Sequence, residues 1–574
     1  INNVYKQYYD IDTNILNTEI KNTYFELKIL QTDFVAIKDN VLVRRYTFIN
    51  ENTIDLDIKF LIHQGIVSSK NNFVGCKLID NGMIQYTHDF IVSTFCKDHE
   101  IFSHQIHGSK NNIRSGEIYD KDYIGMSNDS SVSYDINIIK PGEKKQIDIC
   151  ILLEEFPKDM AHLETEIERV RKIDFNSEYN KTKNYWRKYL KAHDGLNLKE
   201  PKNSYEEKLA DIYYRSILLF PLLTNMQTGG IIASPEIDED FTKCGRYAYT
   251  WPRDAVFIAR AMDILKMTDE VEKFYKVFCK KTQSKDGRWE QRFFSDGNLA
   301  PCWGYQVDET ASVIFGVNSH YEYTKDEKFL KAVLPMCEKA IDFLKRYVKD
   351  IFEGTNKYHV SYDLWEMHEG INTYSLASIY SAFSAMLNIY KVLGKNISNF
   401  ENNRLKDEKI QKLKLELESL QVEIKKYIND NLYDEEKKSY VRNIEDRRMD
   451  ISLIGTVVPF NMFTPKEKKV QNTIERINLS LRTFTGGFQR FEGDHYMNGN
   501  PWPIANMWIT LYYLEKGEKT KAKETFDFVI KTAGMHSLLG EQVDNNTLKS
   551  CWALGLGWSH AMFILVLEKM LKNK

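Results

Sequence analysis

Residues 362–370, "YDLWEMHEG", gather three carboxylates that could do chemistry: Asp363, Glu366 and Glu369. Glu366 directly follows Trp365. An apolar indole beside a carboxyl disfavours ionisation and raises its pKa, as a general acid working near neutral pH requires. The pattern therefore predicts Glu366 as a proton donor.

A second carboxylate, Glu541, lies in "LLGEQVDNNT", a polar loop in which we expect it to stay charged and orient a water molecule. One carboxyl with a raised pKa and one ordinary carboxylate are the pair that glycoside hydrolysis uses. The spacing alone is equally compatible with two carboxylates that only cap helices.

Side chains suited to sugars accompany these acids. In "WPRDA", Arg253 and Asp254 offer donors and acceptors for hydroxyl groups, although an acidic residue there could simply complement a helix dipole. Indoles stack on sugar faces and arginine supplies fixed donors. The predicted substrate-binding set is Trp251, Arg253, Asp254, Trp303, Trp365, Glu369, Arg490 and Trp502.

The elements that must position these residues divide the chain into three parts. Residues 1–156 alternate apolar and polar residues in short runs such as "NVLVRRYTFIN", which predicts an antiparallel β-sandwich. Residues 157–204 are charged with a helical pattern, and we expect a helical linker that packs on its neighbours. Residues 205–574 have an apolar period of about 3.6, which predicts an α-helical domain.

The helical part contains twelve predicted helices, starting near residues 205, 252, 269, 307, 327, 373, 405, 450, 466, 501, 518 and 556. The unusual motifs precede or open the even-numbered helices, for example "YTWPRDA" before the second. If alternate helices run parallel in an inner ring, these loops meet at one end and surround one pocket. The predicted fold of this part is therefore an (α/α)6 barrel.

Composition narrows the partners and the location. A net charge of −3 argues against a nucleic-acid surface, and the apolar runs are too short to favour a membrane role. The eight cysteines are scattered singly, so we predict no metal and no cofactor and expect a cytoplasmic protein. The first residues contain neither Met nor a signal pattern, so we expect the natural N-terminus to be absent, and secretion and oligomeric state stay open.

Several motifs resemble those of the glucoamylase family, family 15 of the glycoside hydrolases, in its bacterial and archaeal two-domain form. They are "YAYTWPRDA", "DLWE", "RFEGDHYMNGNPW", "GEQ" and "LGWSHA", in this order. The resemblance covers the barrel and, more loosely, the sandwich. It implies an exo-acting enzyme that releases β-glucose, with inversion, from the non-reducing ends of α-glucans or short α-gluco-oligosaccharides.

The resemblance also implies roles for single residues. Glu366, after the Trp of "DLWE", corresponds to the general acid, and Glu541 of "GEQ" corresponds to the general base. Inversion requires their carboxyls to stand about 6.5–9.5 Å apart, with a water molecule between them. The Arg-Asp pair of "TWPRD" matches residues that hold hydroxyls of the terminal glucose, and Trp303 and Arg490 match substrate-lining positions.

This chain departs from the family at the leaving-group side. Fungal members follow the catalytic Glu with a second acidic residue, but Met367 stands here. We expect Asp363 to support the loop, and Glu369 to be a supporting or subsite residue if the sixth helix has already begun. The family also includes glucodextranases (α-1,6) and trehalases, so the linkage that is cleaved stays open.

Two other classes of function remain compatible with the sequence. Inverting disaccharide phosphorylases share the sandwich and barrel, but they need no general base, so Glu541 favours hydrolysis. A catalytically silent glycan-binding protein could use the same aromatic residues. The presence of both an acid and a base argues against that second alternative.

Overall fold

The computed structural model describes residues 3–66, 75–87, 89–126, 129–155, 159–238, 240–355, 361–394 and 403–573, with the backbone alone at 403–407 and 409. The chain divides into two compact units, Ile1–Lys191 and Ala192–Lys574. The predicted boundary between residues 156 and 157 lies outside the described residues.

The first unit consists mainly of β-strands arranged in two antiparallel sheets. In the described residues the sheets have the orders β1-β2-β3-β4-β11-β8-β7-β6 and β5-β10-β9, and a short helix α1 (Ser109–Asn112) follows β9. The strands are β1 (Asn3–Tyr9), β2 (Leu16–Asn22), β3 (Leu27–Val35), β4 (Val41–Asn50), β5 (Leu56–Gln64), β6 (Gly75–Ile79), β7 (Gly82–Tyr86), β8 (Phe90–Cys96), β9 (Ile101–Ile106), β10 (Ser130–Ile139) and β11 (Lys144–Glu155).

Both faces of the larger sheet are covered. On β11, Ile149 packs in one cluster with Val132 of β10, which belongs to the smaller sheet. Leu152 lies in a second cluster with Leu163 of helix α2 (Met160–Arg171). Because alternate residues of a strand point to opposite faces, one strand contributes to both clusters. The predicted β-sandwich is confirmed.

Two helices occupy most of the segment predicted as a linker, namely α2 and α3 (Phe175–Ala192). Their apolar residues Leu163, Ile167, Val170 and Phe175 pack in the same cluster as residues of the larger sheet. Through Lys191 this segment therefore belongs to the first compact unit.

The second unit is predominantly helical. Its helices are α4 (Ser204–Leu223), α5 (Pro252–Ile264), α6 (Thr268–Lys273), α7 (Lys280–Thr282), α8 (Val307–Thr324), α9 (Glu327–Glu353), α10 (Thr373–Gly394), α11 (Asn403–Asn431), α12 (Lys468–Ser480), α13 (Pro503–Lys516), α14 (Lys519–Thr532) and α15 (Gly557–Lys572). Short hairpins lie in its loops: β12 (Ser361–Tyr362) with β13 (Glu369–Gly370), β14 (Tyr433–Asp434) with β15 (Ser439–Tyr440), and β16 (Gln542–Val543) with β17 (Ser550–Cys551).

Six inner elements close a ring: α5, α8, α10, the 3-10 helix Ile451–Thr456, α13 and α15. Each packs against the next, and α15 returns to α5. The other helices alternate with them along the chain and form the outer layer. The predicted (α/α)6 barrel is confirmed.

Two of the twelve predicted helices differ in type. The helical segment predicted near residue 450 is present, but it is a short 3-10 helix rather than an α-helix. The following residues include Gly455, two valines and Pro459, which disfavour a continuing α-helix. The helix near residue 269 starts as α6, continues in π-helical form over Phe274–Cys279 and ends as α7.

Among the described helices, α10 is long and apolar enough to span a membrane by length and composition, with 67% of its most apolar window buried inside the protein. It is one of the six elements of the inner ring. Core helices of globular domains pass the same test.

Candidate active site

A cavity of about 370 Å³ is lined by the segments that lead into the inner helices. This volume is in the range of small-molecule sites. Nine of the ten predicted site residues line it: Trp251, Arg253, Asp254, Trp303, Trp365, Glu366, Arg490, Trp502 and Glu541. Glu369 is not a lining residue.

Two inner helices begin with the same Trp-Pro pair. Pro252 opens α5 after Trp251, and Pro503 opens α13 after Trp502. Proline fits the first turn of a helix and holds the preceding residue in an extended conformation. Both indoles are therefore kept out of the helices and line the cavity.

Glu366 lies in the turn of the β12–β13 hairpin, where its φ of 62° puts it in the left-handed region. Asp363 holds this turn, since its Oδ1 accepts the backbone N–H groups of Met367 (2.8 Å) and His368 (3.0 Å). Its Oδ2 accepts a hydrogen bond from the buried guanidinium of Arg442. A non-glycine residue in this conformation is costly and persists only where neighbouring contacts impose it.

Glu369 follows in β13, where it pairs with Tyr362 across the hairpin and is exposed. Helix α10 begins only at Thr373. Glu366 and Glu369 both precede the helix, so they do not share a helical face. Glu369 is not among the residues that line the cavity.

The Glu366 carboxyl sits beside two cavity residues. The indole Nε1–H of Trp251 donates to its Oε1 at 2.6 Å. Burial raises the pKa of Glu366, while the charge of Arg253 and the bond from Trp251 act in the opposite direction. The sequence argument assigned the neighbouring indole to Trp365, but the indole bonded to this carboxyl is Trp251.

Trp365 has a different partner. Its Nε1–H lies 3.0 and 3.1 Å from the two carboxylate oxygens of Asp450, just before the 3-10 helix of the inner ring. Its ring meets Trp502 edge to face, with centroids 5.4 Å apart. Trp365 thereby links the Glu366 turn to the residues that precede the 3-10 helix Ile451–Thr456 and α13.

Glu541 faces the cavity immediately before β16. Its Oε1 accepts the hydroxyl of Tyr247 at 2.6 Å, and its Oε2 accepts the side-chain amide of Gln542 at 2.9 Å. The residue is only 5% exposed. Burial raises the pKa of Glu541 to about 7, although the two hydrogen bonds act to lower it. The expectation that the polar loop leaves Glu541 with an ordinary pKa is therefore wrong, because the loop folds into the protein and buries the carboxyl.

The imidazole of His560, at the start of α15, anchors the loop that carries Glu541. Its Nε2 accepts the backbone N–H of Leu539 at 2.9 Å, and its Nδ1 lies 2.8 Å from Ser216 Oγ in α4. Since Nε2 accepts, the ring proton is on Nδ1. Burial lowers the pKa of His560 to about 3, so the ring is neutral and suited to this bridge.

The neighbouring peptide is fixed as well. Ser559 Oγ donates to the carbonyl of Gly540 at 2.9 Å, and the Gly540 N–H donates to Ser550 Oγ at 2.7 Å. The motif "LGWSHA" therefore holds the backbone immediately before Glu541, a role that its composition did not reveal.

The aromatic donors to the two acids are neighbours. The ring centroids of Tyr247 and Trp251 are 6.4 Å apart, and one donates to Glu541 while the other donates to Glu366. Both donors come from the segment that leads into α5. That segment therefore brings together two acids that are distant in sequence.

A buried charge cluster lies behind this segment. The guanidinium of Arg253 contacts Asp254 Oδ2 (3.1 Å), Asp308 Oδ2 (3.0 Å) and Glu309 Oε1 (3.1 Å). Burial raises the pKa of Glu309 well above its usual value, which favours the neutral acid among three carboxyls sharing one cation. The cluster fixes Asp254, which lines the cavity.

Arg490 occupies another part of the wall. It forms two hydrogen bonds of 2.8 Å to the carboxylate of buried Asp494. Its guanidinium carbon lies 4.8 Å from the ring centroid of Tyr496 and 4.9 Å from that of Trp502. This arginine is thus held rigidly on the cavity wall between a carboxylate and aromatic rings.

Sequence reasoning missed several residues of the site: Tyr247, Arg292, Asp308, Glu309, Asp450 and His560. Tyr247 stands four residues before Trp251 in "YAYTWPRDA", a motif that was already singled out. Of the other five, only His560 stands in a motif quoted above, "LGWSHA". Local sequence does not show which distant side chains these residues contact. Across the described ranges, no group of three or more His, Cys, Asp or Glu side chains is arranged to hold a metal ion.

Comparisons with known proteins identify the family of this chain. A family model described as "Glycosyl hydrolases family 15" matches residues 207–568. An uncharacterized glycosyl hydrolase of Methanocaldococcus jannaschii is 27% identical, with 97% of this chain and 88% of that protein covered. Trehalase 2 of Sulfolobus acidocaldarius is 24% identical, with 59% of this chain and 60% of that protein covered.

Solved structures share the fold. A bacterial glucoamylase in complex with acarbose superposes with a TM-score of 0.74 at 16% identity, covering 100% of this chain and 86% of that chain. The family 15 glucoamylase of Hypocrea jecorina gives a TM-score of 0.53 at 15% identity, covering 64% of this chain and 73% of that chain. At these identities the likeness concerns the fold alone.

Proposed function

The chain belongs to family 15 of the glycosyl hydrolases and is a glycoside hydrolase that acts on a glycan, and on this premise we propose an inverting, exo-acting α-glucosidase of the glucoamylase type. It releases β-glucose from the non-reducing ends of α-glucans or short α-gluco-oligosaccharides. The observation that carries the proposal is the pair of carboxyls on one cavity, buried Glu541 and half-buried Glu366, each held by an aromatic donor.

Glu366 acts as the general acid. Its raised pKa favours the protonated form, which gives its proton to the glycosidic oxygen as the bond to C1 breaks. Trp251 and Arg253 then stabilise the carboxylate that remains, because both favour the charged form. The turn imposed by Asp363 keeps the carboxyl directed at the bond.

Glu541 acts as the general base. Its ionised form removes a proton from a water molecule, whose oxygen attacks C1 from the face opposite the leaving group and inverts the configuration. The bonds from Tyr247 and Gln542 orient both carboxylate oxygens and favour ionisation against burial. The base is therefore ready only above the pH at which Glu541 loses its proton.

The retained glucose binds between these acids. Asp254 and Arg490 offer an acceptor and donors to its hydroxyls, and Trp365 and Trp502 supply apolar walls. The buried Arg253 cluster holds Asp254 in place for this contact.

Proton NMR of freshly formed product tests this proposal, with maltose, isomaltose and trehalose as substrates. We expect β-glucose to appear first, and α-glucose as the first anomer would refute the inverting mechanism. Glu366→Gln and Glu541→Gln should each lose at least about a thousandfold in kcat. The matched control Glu369→Gln, which alters a carboxylate outside the cavity, should stay active.

A trehalase is the second candidate, because the similar proteins include Trehalase 2 of Sulfolobus acidocaldarius and a trehalase of Thermoplasma volcanium, which is 22% identical, with 66% of this chain and 60% of that protein covered. The same substrate panel separates the two candidates. A trehalase should hydrolyse trehalose faster than maltose or isomaltose, and a glucoamylase should not. Turnover that requires inorganic phosphate would instead identify a phosphorylase.

A further inference from the structure

Arg442 is a buried cation next to the turn that carries Glu366. Its side chain is 2% exposed, and its guanidinium donates a hydrogen bond to Asp363 Oδ2. The same guanidinium lies 3.5 Å from Asp450 Oδ2 and 3.3 Å from Asp446 Oδ2. The described residues that line the cavity do not include Arg442. This cation therefore acts on the site through its carboxylate partners and not by touching a substrate.

Two of these carboxylates hold the residues on either side of Glu366. On one side, Asp450 accepts the indole N–H of Trp365, with its two oxygens at 3.0 and 3.1 Å. On the other side, Asp363 Oδ1 accepts the backbone N–H of Met367 at 2.8 Å. Both acids contact the same guanidinium, so one cation joins the two flanks of the turn.

The backbone of the turn makes such support necessary. Glu366 has a φ of 62°, and a residue with a side chain keeps this conformation only where surrounding contacts impose it. Two buried carboxylates also disfavour each other's charge unless a cation compensates them. A planar guanidinium can contact two carboxylates at once. The guanidinium of Arg442 is itself held in place, since its carbon lies 4.3 Å from the ring centroid of Phe491.

We propose that Arg442 is a positioning residue for the general acid, because it fixes both flanks of the Glu366 turn and so keeps this carboxyl directed at the glycosidic oxygen. This inference rests on the proposed function and deepens it. The bond changes remain those of hydrolysis: the C1–O bond breaks, water supplies the new oxygen at C1, and the proton of Glu366 goes to the leaving oxygen. Arg442 exchanges no proton, because a guanidinium stays charged.

Substrates that differ in their need for a proton distinguish positioning from stability. A sugar leaves as a strongly basic alkoxide unless the general acid protonates it, so hydrolysis of a disaccharide depends on where Glu366 lies. Fluoride is a much weaker base and leaves α-glucosyl fluoride with little help from an acid. Both substrates need the base, Glu541. A misplaced acid therefore slows the disaccharide alone, whereas a loosened fold slows both substrates.

The experiment measures kcat and KM of the full chain for the best disaccharide of the linkage panel and for α-glucosyl fluoride. In Arg442→Gln we expect kcat for the disaccharide to fall about 100-fold, because a shift of about 1 Å at a reacting group can have this effect. The KM for the disaccharide should stay within about twofold, since the lost interaction matters only in the transition state. The kcat for the fluoride should stay within about threefold.

A second variant keeps the buried charge. Arg442→Lys leaves the acids with a cation, so the chain should fold, which circular dichroism checks. An ammonium is a point charge that does not bridge two carboxylates as a guanidinium does, so we expect a selective loss of about tenfold for the disaccharide. Arg447→Gln is the matched control, because Arg447 lies in the same segment but is 38% exposed and pairs with Asp434 at 3.2 Å. The control should keep both activities.

Several outcomes would overturn the inference. Equal losses for the disaccharide and the fluoride would assign Arg442 to the fold alone, as would an Arg442→Lys chain that does not fold. An unchanged kcat for the disaccharide in both variants would show that the turn stays in place without this side chain. A loss for the fluoride alone would connect Arg442 with the base instead of the acid. A selective loss in Arg442→Gln that Arg442→Lys restores would support the positioning role and show that the charge suffices.

Failure of the proposed function gives a different result. The unaltered chain would then hydrolyse neither the disaccharides nor the fluoride, which is seen before any variant is compared.

Discussion

Tyr247→Phe should move the acid limb of the pH profile to higher pH. The Tyr247 hydroxyl donates to Glu541 at 2.6 Å and favours its ionised form, while burial holds the pKa of this carboxyl at about 7. A hydrogen bond to a charged group contributes about 1.5–3 kcal/mol. One pKa unit corresponds to about 1.4 kcal/mol. Because Gln542 still donates its hydrogen bond to Glu541 in this variant, we take the lower end of that range, about 1.5 kcal/mol. The pKa of Glu541 should therefore rise by about one unit.

The sign follows from the role of the base. In the proposed mechanism Glu541 must be ionised to activate water, so a higher pKa of Glu541 leaves less active enzyme at low pH. With the midpoint moved by about one unit, kcat/KM at pH 6 should fall about tenfold relative to the unaltered protein, whereas at pH 9 the two should nearly agree.

The measurement is kcat/KM from pH 5 to 9 on the best substrate of the linkage panel. Tyr249→Phe is the matched control, because Tyr249 lies in the same segment and packs on Trp251 but donates no bond to Glu541. Its acid limb should stay in place. An unchanged acid limb in Tyr247→Phe would refute either the base assignment or the electrostatic argument. Carboxyl NMR, with Glu541→Gln to assign the signal, would decide which of the two failed.

Three other changes have defined outcomes. Trp251→Phe removes a donor that favours ionised Glu366, so the alkaline limb should move to higher pH, which a pH–rate profile checks. His560→Ala removes the anchor of the Glu541 loop, so kcat should fall about 100-fold, which steady-state kinetics measure. The free energy of unfolding should fall by about 1–3 kcal/mol, which urea unfolding measures. Asp363→Ala leaves a buried guanidinium short of a partner and releases the Glu366 turn, so urea unfolding should show a loss of about 3 kcal/mol.

Much of the architecture could be predicted from the sequence. The change of apolar period from two to about 3.6 separates the sandwich from the barrel. The positions of the distinctive motifs before alternate helices predict that their loops meet. Local signals of this kind suffice to predict the architecture. A strand buries alternate residues and a helix buries one face, and this burial fixes where each segment lies in the fold.

The environment of each acid could not be predicted in the same way. Glu541 stands among polar residues, yet its loop is buried because His560 and Ser559 tie its backbone to the ring. Its donor Tyr247 is 294 residues distant in sequence. Such contacts depend on ring closure, so no local pattern carries them. Glu369 illustrates the converse, since proximity in sequence to Glu366 did not bring it into the cavity.

The closed ring has a consequence for how the enzyme matures during synthesis. Helix α15 completes the ring by packing on α5, and it also carries the histidine that anchors the Glu541 loop. Contacts between such distant segments form late, after the intervening chain has been ordered. A nascent chain that lacks α15 would therefore hold the proposed acid, Glu366, without an ordered Glu541, the proposed base. Hydrolytic competence should arise in a single late step, when the last inner helix has left the ribosome.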